Sequence, residues 1–203
     1  MYKIGLTGGI AAGKSTVLNW LLTHDIATVD ADVVARQVVE PHTPGLEAVV
    51  AAFGKDIVQN DGTLNREKLG AIVFRDEDKR HQLNTILHTY IYEKMMDLTA
   101  EYEAKGYETI IYDIPLLIET GWVTMMDEIW LVYVDYDVQL ARLMERNGYT
   151  QEQAKARIDS QMPLADKKKY AQVIIDNNGS ERDLYEQLNE LWRRECHRFV
   201  RRK

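Results

Sequence analysis

Gly8-Gly9-Ile10-Ala11-Ala12-Gly13-Lys14-Ser15-Thr16 is the stretch from which the rest of the chain can be read. Ahead of it, Tyr2-Lys3-Ile4-Gly5-Leu6-Thr7 has the look of a short strand. Behind it, Val17, Leu18, Leu21 and Leu22 recur at helical spacing. A strand running through a glycine-rich loop into a helix is an arrangement that binds an oxyanion. The backbone N–H groups of residues 9–16 wrap it, and the helix N-terminus adds partial positive charge. The spacing fits G-x-x-x-x-G-K-[ST], the phosphate-binding P-loop. In that pattern Lys14 reaches the β- and γ-phosphates, and Ser15 offers its hydroxyl to Mg²⁺. The expected ligand is a nucleoside triphosphate. The loop alone leaves the acceptor open.

Composition narrows the setting. A chain of 203 residues suits one domain with room for an inserted subdomain. A net charge of −7 argues against a general nucleic-acid binder, which carries a basic face. Cys196 is the single cysteine, so no intrachain disulfide forms, in keeping with a reducing compartment. No run approaches the roughly 18 apolar residues of a membrane span. The first strand starts too early to leave room for a signal peptide. The expected location is the cytoplasm, away from membranes.

Outward from the loop, Ile26-Ala27-Thr28-Val29 reads as a second strand ending in Asp30-Ala31-Asp32. Asp30 is placed to cap the next helix. Asp32 either complements that helix's dipole or serves a ligand at the carboxyl edge of a parallel sheet. Residues 41–105 are mostly helical in pattern and contain Arg66 and His88. They read as an insertion of the kind that would hold an acceptor. Thr109–Asp113 is a third strand; an apolar strand ending in Asp can present a carboxylate near Mg²⁺. The following Leu116 and Leu117 suit either the core or an acceptor contact.

Ile129–Val134 is the fourth strand. Beyond it, Arg142 and Arg146 stand four apart on one helix. A capping box at Thr150–Gln153 opens a second helix carrying Arg157. Two helices with three arginines over residues 137–170 would read alone as a solvated basic face; beside a P-loop they read as a lid over transferring phosphates. Lys167-Lys168-Lys169 reads as a solvated turn. Val173–Asp176 is the fifth strand. Asn177-Asn178-Gly179 turns the chain into a last helix whose basic end includes Arg201, Arg202 and Lys203. The expected fold is α/β: a five-stranded parallel sheet flanked by helices. Its core comprises residues 1–40, 106–136 and 171–203, with the helical insertion and the lid added to it.

Five stretches together carry a family resemblance. Leu6 through Ser15, Asp30-Ala31-Asp32, Ala35 through Pro41, Pro115-Leu116-Leu117-Ile118-Glu119 and Ile175 through Gly179 resemble dephospho-CoA kinase, in that family's order and over essentially the whole chain. The resemblance implies a nucleoside-monophosphate-kinase-like fold and transfer of the ATP γ-phosphate to the ribose 3′-hydroxyl of dephospho-CoA. It implies that Ala11, Ala12, Gly13, Lys14, Ser15 and Thr16 form the ATP loop, with Lys14 its cation. It also implies that Asp32 is the base, that Arg142 or Arg146 meets the phosphates, and that Arg66, His88, Leu116 and Leu117 line the acceptor site. The chain departs from the family at two places. Ala11-Ala12 stands where the family usually has Gly-Ser, and His88-Thr89 replaces His-Pro. A kinase of another small acceptor and an adenine-nucleotide switch are the competing readings. A guanine switch would want N-K-x-D after a late strand, and Asp176-Asn177-Asn178-Gly179 is not one.

Overall fold

The computed structural model describes residues 1–199 and Arg201; the expected basic residues Arg202 and Lys203 lie outside the described residues. Five strands, β1 (Tyr2–Thr7), β2 (Ala27–Asp30), β3 (Thr109–Asp113), β4 (Glu128–Tyr133) and β5 (Val173–Asp176), form one parallel sheet in the order β2-β3-β1-β4-β5. β1 sits in the middle, with Leu6 opposite Asp113 on β3 and opposite Trp130 on β4. β3 is buried along its whole length and β4 nearly so, as expected for parallel strands covered on both faces. The edge strand β5 alternates toward solvent.

Two compact units make up the chain. One comprises Met1–Val29 with the chain from Tyr102 onward, and the other Asp30–Glu101. In the first, α1 (Lys14–Leu22) and α9 (Glu181–Glu195) bury Val17, Leu21, Leu184, Leu188 and Leu191 in one cluster. Ile4, Leu6, Trp130, Val132 and Ile175 of the sheet belong to it too. α6 (Tyr136–Asn147) and α7 (Gln151–Ile158) build a smaller cluster from Leu140, Leu143, Ala154 and Ile158. The capping box at Thr150 and Gln153 forms, as does one at Ser180 and Asp183. A short helix, α8 (Leu164–Lys167), leads into β5.

The end of the sheet opposite the strands' carboxyl termini is closed by ionic contacts. Arg198 donates to Glu128 and Glu195, each at 2.8 Å. The Glu128 carboxylate also accepts from Trp130 Nε1 at 2.7 Å and from the Tyr2 hydroxyl at 3.0 Å. Burial alone would raise the Glu128 pKa. The hydrogen bonds from Arg198, Trp130 and Tyr2 outweigh it and hold the carboxyl below its usual range.

In the second unit, α2 (Ala31–Gln37) is capped by Asp30, whose Oδ1 accepts from the N–H groups of Asp32 and Val33. α3 (Pro44–Phe53) starts with Thr43 as its cap and proline in the first turn, where a missing N–H costs nothing. α4 (Arg66–Phe74) is capped by Asn65, and α5 (Glu77–Ala104) runs 28 residues. That helix passes unbroken through Thr89, whose hydroxyl donates to the Thr85 carbonyl. Threonine keeps the backbone N–H that a proline here would delete.

Candidate active site

α1 begins directly out of the glycine-rich loop. Gly13 occupies its N-cap position with φ 92°, and no side chain caps the helix. The N–H groups of Lys14 and Ser15 therefore have no intrahelical carbonyl to bond, which is the condition for an anion site. Gly13 is required twice over. Its φ is left-handed, and a Cβ would run into the Asn177 amide nitrogen. Ala11 also has positive φ, 58°, a conformation strained for a residue with a side chain.

The loop's carbonyls are almost all taken from outside or behind it. Gly8 O accepts from Lys167 Nζ at 3.1 Å, Ile10 O from Gln139 Nε2 at 2.8 Å, and Ala12 O from Asn177 Nδ2 at 2.8 Å. Gly9 O accepts from the Ala12 N–H, and Gly13 O from Thr16 and Val17. The Ile10 N–H donates to Gln161 Oε1 at 2.9 Å. With its acceptors so occupied, the loop keeps one backbone conformation in which donors at the start of α1 are left for a ligand. Lys14 and Asp113 form an ion pair with both side chains largely buried. Asp113 ends β3, the strand beside the loop's own strand β1.

The three arginines have different surroundings. Arg142, half-buried on α6, donates to the Gly179 carbonyl at 3.4 Å, in the turn that contains Asn177. Arg146 is exposed and bonds Asn147 Oδ1. Arg157 lies over the Tyr149 ring, 4.2 Å from its centroid. Of the leucine pair after β3, Leu117 has no exposed surface, and a Cβ on Gly5 would strike it. Leu116 is 39% exposed.

In the second unit, Asp32 is exposed in the first turn of α2, two residues beyond the end of β2. Arg66 is exposed as the first residue of α4, and His88 is exposed midway along α5. This unit has its own cavity of about 480 Å³, lined by Val38, Thr43, Gly45, Tyr90, Glu93 and Lys94 among others. Neither Arg66 nor His88 lines it.

A family model described as dephospho-CoA kinase matches residues 2–183. The chain belongs to the dephospho-CoA kinase family. It is 50% identical over 195 residues to a dephospho-CoA kinase of Shouchella clausii, covering 96% of this chain and 99% of that one. It is 49% identical over 188 residues to one of Geobacillus kaustophilus, covering 91% and 92%. Among solved structures, a dephospho-CoA kinase from Campylobacter jejuni superposes with a TM-score of 0.73 at 26% identity, covering 96% of each chain.

Pattern reading overlooked several groups around the loop. Lys167 is the clearest correction. Expected in a solvated turn, it has a fully buried side chain that pairs with Glu119 at 2.9 Å. The reason is register: Lys167 falls three residues after Leu164 on α8, so it follows that buried leucine inward. Lys169, by contrast, is exposed as expected. Gln139 and Gln161 had no sequence signal, since a glutamine on an amphipathic helix looks the same whether or not it grips a peptide. Asn177 and Glu119 were visible only as members of family-like motifs.

Proposed function

We propose that this chain phosphorylates the ribose 3′-hydroxyl of dephospho-CoA with ATP, giving coenzyme A and ADP. Membership of the family over residues 2–183 carries the reading, and the preformed phosphate loop supports it. The 3′-oxygen attacks the γ-phosphorus, the bond from that phosphorus to the β–γ bridging oxygen breaks, and ADP leaves. Asp32 orients the hydroxyl and takes its proton; it is exposed in the first turn of α2, two residues after a strand of the sheet. Lys14 and the N–H groups at the start of α1 hold the phosphates. Ala11 through Thr16 enclose them.

Arg142 is the lid arginine favoured here, because it bonds the same turn whose Asn177 supports the loop. Arg146 stands one turn further out. Residues 137–170 act as the lid and the helical residues 41–105 receive the acceptor, with Arg66, His88 and Leu116 as its contacts; Leu117, expected beside them, has no exposed surface to offer and belongs to the core. Among the described residues no three His, Cys, Asp or Glu side chains converge on a metal position. A Mg²⁺ ion fits as a nucleotide-borne partner of Ser15 and Asp113, supplying charge neutralisation on the phosphates.

The test measures ADP release with and without dephospho-CoA, in the parent and two variants. Lys14→Ala should lose both ATP affinity and turnover. Asp32→Asn should keep ATP affinity while kcat falls by about 10²–10⁴, the usual worth of a general base. Parent-like turnover of Asp32→Asn would remove the base assignment. An absence of stimulation by dephospho-CoA would remove the reaction.

A further inference from the structure

Lys167 is a buried cation that the phosphoryl-transfer chemistry does not use. Its ammonium has three donors and meets three acceptors: Glu119 Oε1 at 2.9 Å, Gly8 O at 3.1 Å and Pro115 O at 3.4 Å. Glu119 Oε1 also accepts from the Met162 N–H at 3.1 Å. Pro115 O takes a second bond from the Thr7 hydroxyl at 3.0 Å. Gly8 is the first residue of the phosphate loop. Pro115 stands two residues after Asp113, the partner of Lys14. One side chain thus ties the loop's entrance to the exit of β3, and its counter-ion ties both to the segment that follows α7.

Burying an ammonium is expensive, and an apolar pair of similar size often serves stability equally well or better. What an apolar pair cannot do is donate to Gly8 O and Pro115 O. We propose that Lys167, oriented by Glu119, is a positioning residue of the phosphate loop: it fixes the Gly8 carbonyl away from the nucleotide so that the loop's N–H groups meet the phosphates. The proposal rests on the P-loop reading and adds to it a role for the Pro115–Glu119 motif.

The experiment compares Lys167→Met, Lys167→Arg, the double variant Lys167→Met with Glu119→Met, and Lys14→Ala. Each is measured for thermal midpoint, ATP dissociation constant by calorimetry, and KM for ATP and for dephospho-CoA. In the double variant no charge is left buried, so its midpoint should lie above that of Lys167→Met alone, though below the parent's because Gly8 O has lost its donor. Its ATP dissociation constant and KM for ATP should stay raised by about tenfold or more, the worth of one charge-assisted hydrogen bond. KM for dephospho-CoA should stay within about twofold. Lys167→Arg, which keeps donors and charge, should recover part of the ATP affinity. A purely structural Lys167 would give parent-like ATP binding in the double variant, and that result overturns the proposal. If Lys14→Ala itself bound ATP like the parent, the P-loop reading would fall first.

Discussion

Replacing Asn177 tests the idea that the phosphate loop is held from behind. Its side chain is buried, with Nδ2 donating to Ala12 O at 2.8 Å, while its backbone N–H bonds the Tyr133 carbonyl. Asn177→Ala deletes the donor and leaves Ala12 O unpaired, a loss of about 1–3 kcal/mol for a buried acceptor. The free protein can relieve this by letting the loop shift until the carbonyl reaches water. ATP must then restore the loop, and that work appears as a dissociation constant raised roughly 5- to 150-fold. Asn177→Asp has the same shape but presents an anion to the carbonyl and to the triphosphate, so it should bind more weakly still at pH 8. A carboxylate in that place has a raised pKa, because burial and the facing carbonyl both disfavour its charge. On protonation it regains an O–H donor. ATP affinity of the aspartate variant should therefore improve between pH 8 and pH 5.5 relative to the alanine variant. Calorimetric titration of both at the two pH values decides it. Asn177→Asp binding ATP within about threefold of the parent at pH 8 would refute the reasoning.

Two further outcomes are expected. Glu128 has a folded pKa below its unfolded one, so it contributes stability that is fully present above about pH 4.5 and is lost as pH falls through the folded value. Acid unfolding followed by circular dichroism should accordingly be shallower below pH 4.5 in Glu128→Gln, which should also lose about 1–2 kcal/mol at pH 7 from weakened bonds to Arg198; parallel acid limbs in the two proteins would contradict this. Ala11→Gly relieves a left-handed alanine at φ 58° but gives up its methyl contact with the α6–α7 cluster. The net expectation is a gain of no more than about 1 kcal/mol in a thermal melt with ATP affinity unchanged, and a clear fall in melting temperature would mean that the methyl contact matters more than the strain.

Much of this was legible in the chain because it is local. The order of strands and helices follows from apolar runs and caps that lie within a few residues of one another: Asp30 before α2, Asn65 before α4, Thr150 and Gln153 at α7. The loop and Lys14 follow from one contiguous pattern. What stayed hidden depends on partners far away in sequence. Lys167 lies 159 residues from Gly8 and Asn177 lies 165 from Ala12. Nothing in Lys167-Lys168-Lys169 distinguishes the buried lysine from the half-buried Lys168 and the exposed Lys169 until helix register turns one of them inward. Leu117 is similar: its burial against Gly5 reflects the close approach a glycine strand residue permits, whereas the sequence offers only two adjacent leucines.

The same distant contacts bear on how the α6–α7 pair can move. Gln139 on α6 and Gln161 beyond α7 grip the two peptide units that flank one residue, at the carbonyl and the N–H of Ile10. Ile10 and Ala11 also pack against Leu140, Leu143, Ala154 and Ile158. Swinging the whole pair away from the loop would break both bonds and expose those apolar contacts together, each buried methylene being worth about 0.8 kcal/mol. The exposed residues from Glu145 to Gly148 carry no such tether to the loop. Opening at low cost is therefore expected at that tip, with the base of the pair staying on Ile10. Hydrogen exchange would distinguish the two modes: tip-only opening leaves the amides of Leu143 and Ile158 protected with and without ATP, whereas a swing of the whole pair exposes them together in the free protein.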